Sequence, residues 1–155
     1  MFKVVDTRWR ANMNNVQKTL NVFKFCNDEE LKNAISEDIN TLSKVYKNLE
    51  SYLTMKRTNF SRMYFLSDEE LLKILSNTKE PRNINDYVKK IFENISLLVF
   101  NEDSMITSIE SEVGERVALL KKVSPKEYSV EIWMNSVESM MVESIRYYIL
   151  EAQKD

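Results

Sequence analysis

The chain has 155 residues, 43% of them hydrophobic, which suits one globular unit. It has no histidine, a single glycine (Gly114) and a single cysteine (Cys26), which excludes a histidine base or metal ligand, a P-loop or dinucleotide fingerprint, an internal disulfide and a cysteine zinc site. Its 22 Lys and Arg are interspersed among 24 Asp and Glu for a net charge of −2, without the basic surplus on one face that phosphate neutralisation needs, so nucleic acid is not an expected partner.

Trp9, Met13, Val16, Leu20 and Phe23 form one apolar stripe and predict a first helix of about 18 residues with Asp6 as its N-cap. Cys26 and Asn27 break the pattern, and Cys26 reads as a small buried filler. The second helix starts at Asn27-Asp28-Glu29-Glu30, with Asn27 capping and Glu30 as the capping-box partner. Its stripe is Leu31, Ile35, Asp38, Leu42, Val45, Leu49 and Tyr52, apolar except at Asp38, and it runs to about Lys56. Thr58 to Leu66 is crowded with bulky residues out of helical period and reads as a buried, extended connector. Ser67-Asp68-Glu69-Glu70 then opens a third helix as another capping box.

Asn77 to Pro81 is a break, and Ile84, Val88, Ile91 and Ile95 predict a fourth helix. From Leu97 the runs shorten and become β-branched: Leu97 to Phe100, Ser104 to Ile109, and Arg116 to Leu120. Turn compositions lie between them, and Gly114 takes the position needing positive φ. The last helix starts at Ser124-Pro125-Lys126-Glu127 or at the competing cap Ser129. It carries Val130, Trp133, Val137, Met141 and Tyr148 and ends near Ala152. The expected fold is mainly α: an elongated helical bundle of about five helices with one small antiparallel β element over about residues 97–120. The whole is one segment, helical over 1–95, a hairpin or meander over 97–120, and a long helix over 124–153.

The longest apolar run, Ile95 to Phe100, is far short of the ~18 residues of a membrane span, and no membrane partner is expected. The start lacks the apolar core of a signal peptide, and the lone cysteine fits the reducing cytosol. The sequons at Asn59 and Asn94 then read as chance matches. The acidic clusters Asp28-Glu29-Glu30 and Asp68-Glu69-Glu70 read as helix starts before they read as cation sites. Glu110, Glu112 and Glu115 flank a turn without any group to complete an acid–base mechanism. On the residues alone, this is a non-catalytic scaffold or interaction module with no metal site. A free-standing helical adaptor, self-associating through the Leu31 to Tyr52 face, is the alternative function.

One stretch says more. Tyr52-Leu53, Lys56-Arg57, Phe60-Ser61-Arg62-Met63-Tyr64-Phe65-Leu66-Ser67 and Asp68 to Leu72 resemble the signature of the dynein heavy chain linker region. The likeness continues through Ile74-Leu75-Ser76, Thr78-Lys79 and Pro81. Upstream, Phe2, Asp6, Trp9, Arg10 and Met13 are similar to the family's first segment. Downstream, Ser111, Gly114 and Glu115 resemble its Gly-Glu turn, and Val130-Glu131, Trp133, Val137-Glu138 and Met141 its closing helix. Ser61 stands where the family prefers Pro, and Met63 where it prefers Phe.

The resemblance implies a mechanical, non-enzymatic fragment of a microtubule motor. The linker lies across a ring of AAA+ modules, bends during the ATPase cycle and delivers the power stroke. The implied partners are the AAA+ ring of the same heavy chain and, only through the parent motor, dynein complex subunits and microtubules. No cofactor belongs to the fragment, ATP and Mg being the parent motor's. The implied location is cytoplasmic and cytoskeleton-associated, axonemal or otherwise. The residues carrying the family signature are Trp9, Arg10, Lys56, Arg57, Phe60, Arg62, Tyr64, Phe65, Leu66, Ser67, Glu70, Leu71, Gly114, Glu115 and Trp133. The break from Asn77 to Asn85, with Asn77 and Pro81 as hinge residues, is the expected compliant place, and the β element around Gly114 the expected docking patch.

Overall fold

A computed structural model describes residues 1–19, 21–77, 80–126 and 128–154, together with the side chains of all of these but Thr19 and Val22. Leu20 of the first stripe, Thr78-Lys79 of the break and Glu127 of the last helix's first start signal lie outside the described residues. The elements in order are α1 (Phe2–Thr19), α2 (Val22–Cys26), α3 (Glu29–Asn59), a 3-10 helix (Ser61–Phe65), α4 (Asp68–Ser76), a second 3-10 helix (Pro81–Asp86), α5 (Val88–Ile91), β1 (Ile95–Phe100), β2 (Ile106–Ser111), β3 (Arg116–Val123) and α6 (Val130–Ala152). The fold is mainly α with one small antiparallel sheet, as expected. Among the described residues no helix is long and apolar enough to cross a membrane.

The chain divides into two compact units, Met1–Tyr52 and Leu53–Asp155. In the first unit, α1 begins four residues before the expected cap. Asp6 lies inside the helix and accepts two 3.0 Å hydrogen bonds from Arg10 Nε one turn on. The inward position is Val5, which is buried, whereas Trp9 and Phe23 of the expected stripe are exposed. A side chain's inward face depends on what packs there, and a unit of so few helices covers only a narrow strip. Asn21 caps α2, and Cys26 is exposed rather than buried. Asp28, not Asn27, caps α3: its Oδ1 accepts the Leu31 amide at 3.1 Å. Asp38, the polar exception in the α3 stripe, is the most buried member of that stripe. It receives Arg8 Nη2 of α1 at 2.6 Å.

In the second unit, α3 continues to Asn59, and the connector is a 3-10 helix rather than an extended strand. Met63 turns inward at 0% exposed while Tyr64 and Phe65 face out. Three residues per turn brings Phe60, Met63 and Leu66 to one side, which is why an apolar cluster without α period could still be buried. The expected capping box of α4 is formed: Ser67 Oγ accepts the Glu70 amide at 3.2 Å, and Glu70 Oε2 accepts the Ser67 amide at 3.0 Å.

The expected fourth helix is a correction. Only Val88–Ile91 is α-helical; Ile84 lies in the second 3-10 helix and Ile95 opens β1. Phe92, at φ −127 and ψ 112, already leaves the helix, and Asn94, at φ 66, turns the chain into β1 in the left-handed region that Asn tolerates. The sheet order is β1-β2-β3, both pairs antiparallel. Ser104, expected in a strand, lies in the β1–β2 turn at φ 63, and Gly114 has the positive φ expected of it, at 84. An irregularity between Ile106 and Ser108 lets β3 bulge, since their partners are Val123 and Ala118. The amide of Leu120, in the bulge, turns to α6, where Ser144 Oγ accepts it at 3.0 Å. Trp133, Met134 and Val137 of α6 join Leu98, Ile106, Ile109 and Leu119 of the sheet, Phe60 and Met63 of the connector and Leu71 of α4 in one buried core.

Candidate functional site

Three of the residues that carry the family signature, Lys56, Arg57 and Arg62, lie at the end of α3 and just beyond it. Lys56 and Arg57 occupy its last turn, where the helix dipole favours cations, and Arg62 follows in the 3-10 helix. Arg57 reaches the connector and α4, while Arg62 and Lys56 both reach α6.

Arg57 holds the connector to itself. Its Nη2 donates to the Leu66 carbonyl at 2.8 Å and its Nε to the Met63 carbonyl at 3.4 Å, which also accepts the Leu66 amide at 3.2 Å. Its Nη1 pairs with Asp68 Oδ1 at 2.7 Å in the first turn of α4, and its guanidinium lies 5.9 Å from the centre of the Tyr64 ring. Arg62 reaches further. It donates through Nε to Glu138 Oε1 of α6 at 2.7 Å and through Nη1 to the Ile91 carbonyl at 3.4 Å, and it lies 5.2 Å over the Phe92 ring. Phe92 in turn packs on Phe60, ring centres 6.2 Å apart.

Lys56 makes the third reach, to Glu131 Oε1 in the first turn of α6, 75 residues away. Burial decides which of these pairs matters most. Arg62 and Glu138 are 40% and 36% exposed in their side chains, which places them near the ~0–1 kcal/mol of surface pairs. Lys56 and Glu131 are 11% and 5% exposed, and stranding one buried charge typically costs about 3–5 kcal/mol. Burial opposes ionisation of Glu131. The hydrogen bond from Lys56, those from its own amide and from Ser129, and the Lys56 charge outweigh it and hold the carboxyl below its ordinary range. Oε2 of Glu131 is buried without a hydrogen-bond partner among the described residues.

The other signature residues divide by position. Phe60, Leu66, Leu71 and Trp133 are core, and Ser67 and Glu70 form the cap. Lys90 Nζ also donates to Glu70 Oε1 at 2.6 Å. That bond, ahead of those from the Ser67 amide, holds the Glu70 carboxyl below its ordinary range. Tyr64 and Phe65 point outward, as do Gly114 and Glu115 at the β2–β3 turn. Trp9 and Arg10 lie on α1 in the first unit. Asn77 is the C-cap of α4, and Pro81 begins the second 3-10 helix with Glu80 before it. The acidic clusters serve the helix starts: Asp28 caps α3, Glu29 pairs with Lys32, and Asp68 pairs with Arg57. Glu110 and Glu112 pair with Arg116 and Lys89.

The partners Glu131 and Glu138 stood in the quoted motif, yet no local signal in the sequence gave them a role, because each is matched to a cation 75 or 76 residues away. Asp38 and Ser144 did carry a signal, each being a polar residue on an otherwise apolar stripe.

Comparison with known proteins places the whole chain in one family. The model of the family described as dynein heavy chain, N-terminal region 2 matches residues 1–152. The chain belongs to this dynein heavy chain family. It is 39% identical over 153 residues to mouse dynein axonemal heavy chain 1, covering 99% of this chain and 4% of that one. To human dynein axonemal heavy chain 3 it is 34% identical over 150 residues, covering 96% and 4%. To cytoplasmic dynein 2 heavy chain 1 of Caenorhabditis elegans it is 31% identical over 158 residues, covering 99% and 4%. The chain thus spans about 4% of the length of these dynein heavy chains.

Proposed function

We propose that the chain is a non-catalytic mechanical segment of the linker of a dynein heavy chain. In this reading it is part of the lever that bends over the AAA+ ring during the ATPase cycle and drives movement along microtubules. The observation that carries the reading is the family match over residues 1–152. ATP and Mg are used elsewhere in the parent chain, microtubules and dynein subunits are met through it, and its place is on the cytoskeleton.

The packing is suited to transmitting force. Close-packed interiors are barely compressible, and here α3, the connector, α4 and α6 share one core and three side-chain links. Compliance is assigned to the break at Asn77 and Pro81. The β2–β3 turn is assigned to docking on the ring, because Val113 at its tip is 89% exposed.

An immunoblot of native lysate with antibody against this chain tests the reading. A band far larger than 18.4 kDa that sediments with microtubules and is released by ATP is expected. A band at 18.4 kDa would replace the lever with a free-standing helical adaptor, a reading favoured by the exposure of Leu42, Leu49 and Tyr52 on α3.

A further inference from the structure

The side chain of Asn85, in the second 3-10 helix, stands in for a strand. Its Nδ2 donates to the Leu98 carbonyl at 3.1 Å, and its Oδ1 accepts the Leu98 amide at 2.9 Å. Leu98 lies opposite Ile109 of β2, and its own amide and carbonyl point to the side of β1 away from β2. One carboxamide therefore satisfies both outward groups of a residue in the middle of β1. Nearby, Arg82 Nη2 donates to the Asn101 carbonyl at 3.1 Å, just past the end of the same strand. The 3-10 helix is thus fastened to β1 by two side chains. Among the described residues no hydrogen bond ties it to α6.

Between this 3-10 helix and the start of α6 lies a cleft of about 230 Å³. Pro81, Ile84 and Tyr87 line it from the first side, and Pro125, Val130 and Trp133 from the second. Ile84 and Trp133 are each 3% exposed, so the cleft floor is continuous with the core.

We propose that Asn85 is a latch. Closed, it makes the 3-10 helix move with the sheet; open, it lets that helix leave β1 and widens the cleft over Trp133. A side-chain clasp suits such a device, since its opening breaks two hydrogen bonds and leaves the β1–β2–β3 ladder whole. The proposal deepens the reading of the break as the compliant part of a lever, and rests on that reading for its use but not for its existence.

The test uses the chain with Trp9→Phe, which leaves Trp133 as its sole tryptophan. Asn85→Ala is expected to speed exchange of the Leu98 amide by about 10-fold or more. It should also increase acrylamide quenching of Trp133 while the Ile109 and Val117 amides of the β2–β3 pair keep their rates. Asn85→Asp retains the acceptor and loses the donor, and should fall between. Equal acceleration at Leu98, Ile109 and Val117, no acceleration at Leu98, or unchanged quenching would each overturn the latch. Should Asn85→Ala fail to fold, the Trp9→Phe chain in low urea answers the same question. There Leu98 and residues 83–86 should open together at lower cost than Ile109, and a single common opening would refute the proposal. Each of these outcomes leaves the immunoblot for the lever reading untouched.

Discussion

Lys56 in the last turn of α3 and Glu131 in the first turn of α6 form a buried ion pair across 75 residues of sequence. Their side chains are 11% and 5% exposed, so neither charge can be left alone cheaply. Lys56→Met or Glu131→Gln should each destabilise the chain by about 3–5 kcal/mol in urea unfolding. The double variant Lys56→Met, Glu131→Leu should recover most of that loss. A double variant no better than the worse single one would mean that the pair itself contributes the stability.

The same pair sets an acid limit. The folded Glu131 carboxyl titrates below its ordinary value of 4.5, so the folded state binds its proton less readily than the unfolded chain does. The stability this supplies is complete above the unfolded value and is lost as pH falls through the folded one. Unfolding free energy measured from neutral pH downward should therefore begin to drop near pH 4.5 and continue below it. In Glu131→Gln that part of the acid sensitivity should vanish.

Ser61→Pro should stabilise the chain by about 0.4–1 kcal/mol, read as a raised urea midpoint. Phe60 before it is already extended, at φ −140 and ψ 97, as a residue preceding proline must be. Ser61 is the first residue of the 3-10 helix, where proline's fixed φ fits and, among the described residues, the Ser61 amide makes no hydrogen bond that proline would remove. A lowered midpoint would show that this amide has a role in the connector.

Two small substitutions probe the sheet's supports. Ser144→Ala removes the acceptor for the Leu120 amide and should cost about 1–2 kcal/mol, with faster exchange at Leu120 alone among the β3 amides. Gly114→Ala meets no atom within 4 Å of the new Cβ, so its cost of about 1–2 kcal/mol should come wholly from φ 84. Gly114→Asn should then be milder than Gly114→Ala; the reverse order would mean that space, not backbone conformation, is limiting.

Val113→Ser tests the docking role assigned to the β2–β3 turn. Val113 is 89% exposed, so folding should be unaffected, and the full heavy chain carrying it should glide microtubules more slowly. Deleting Val113 to Leu120 is a poorer test, because Leu119 is core at 8% exposed. An unchanged speed would move docking elsewhere.

What was legible in the sequence was local. The capping box at Ser67 and Glu70, the positive φ at Gly114 and the end of α6 at Ala152 each follow from neighbouring residues or a sustained period. The misreadings of element type share one cause, which is that a short apolar run has no single period. Ile84, Val88, Ile91 and Ile95 fit a helical stripe, yet they are divided among a 3-10 helix, α5 and β1, with Phe92 extended and Asn94 left-handed between the last two. Trp9 and Cys26 read as buried because their chemistry allows it, but burial depends on which partner helix exists to cover them. The signature cations were visible as residues, while Glu131 and Glu138 became meaningful only when the fold brought α6 beside the end of α3.

The side-chain amide of Asn85 at Leu98 and the hydroxyl of Ser144 at Leu120 occupy the middle of the two outer strands. An incoming strand from any other polypeptide would have to displace a bonded side chain before it could register on either flank. Neighbouring copies held at high local density are likewise denied the simplest route to stacking into a continuous ribbon.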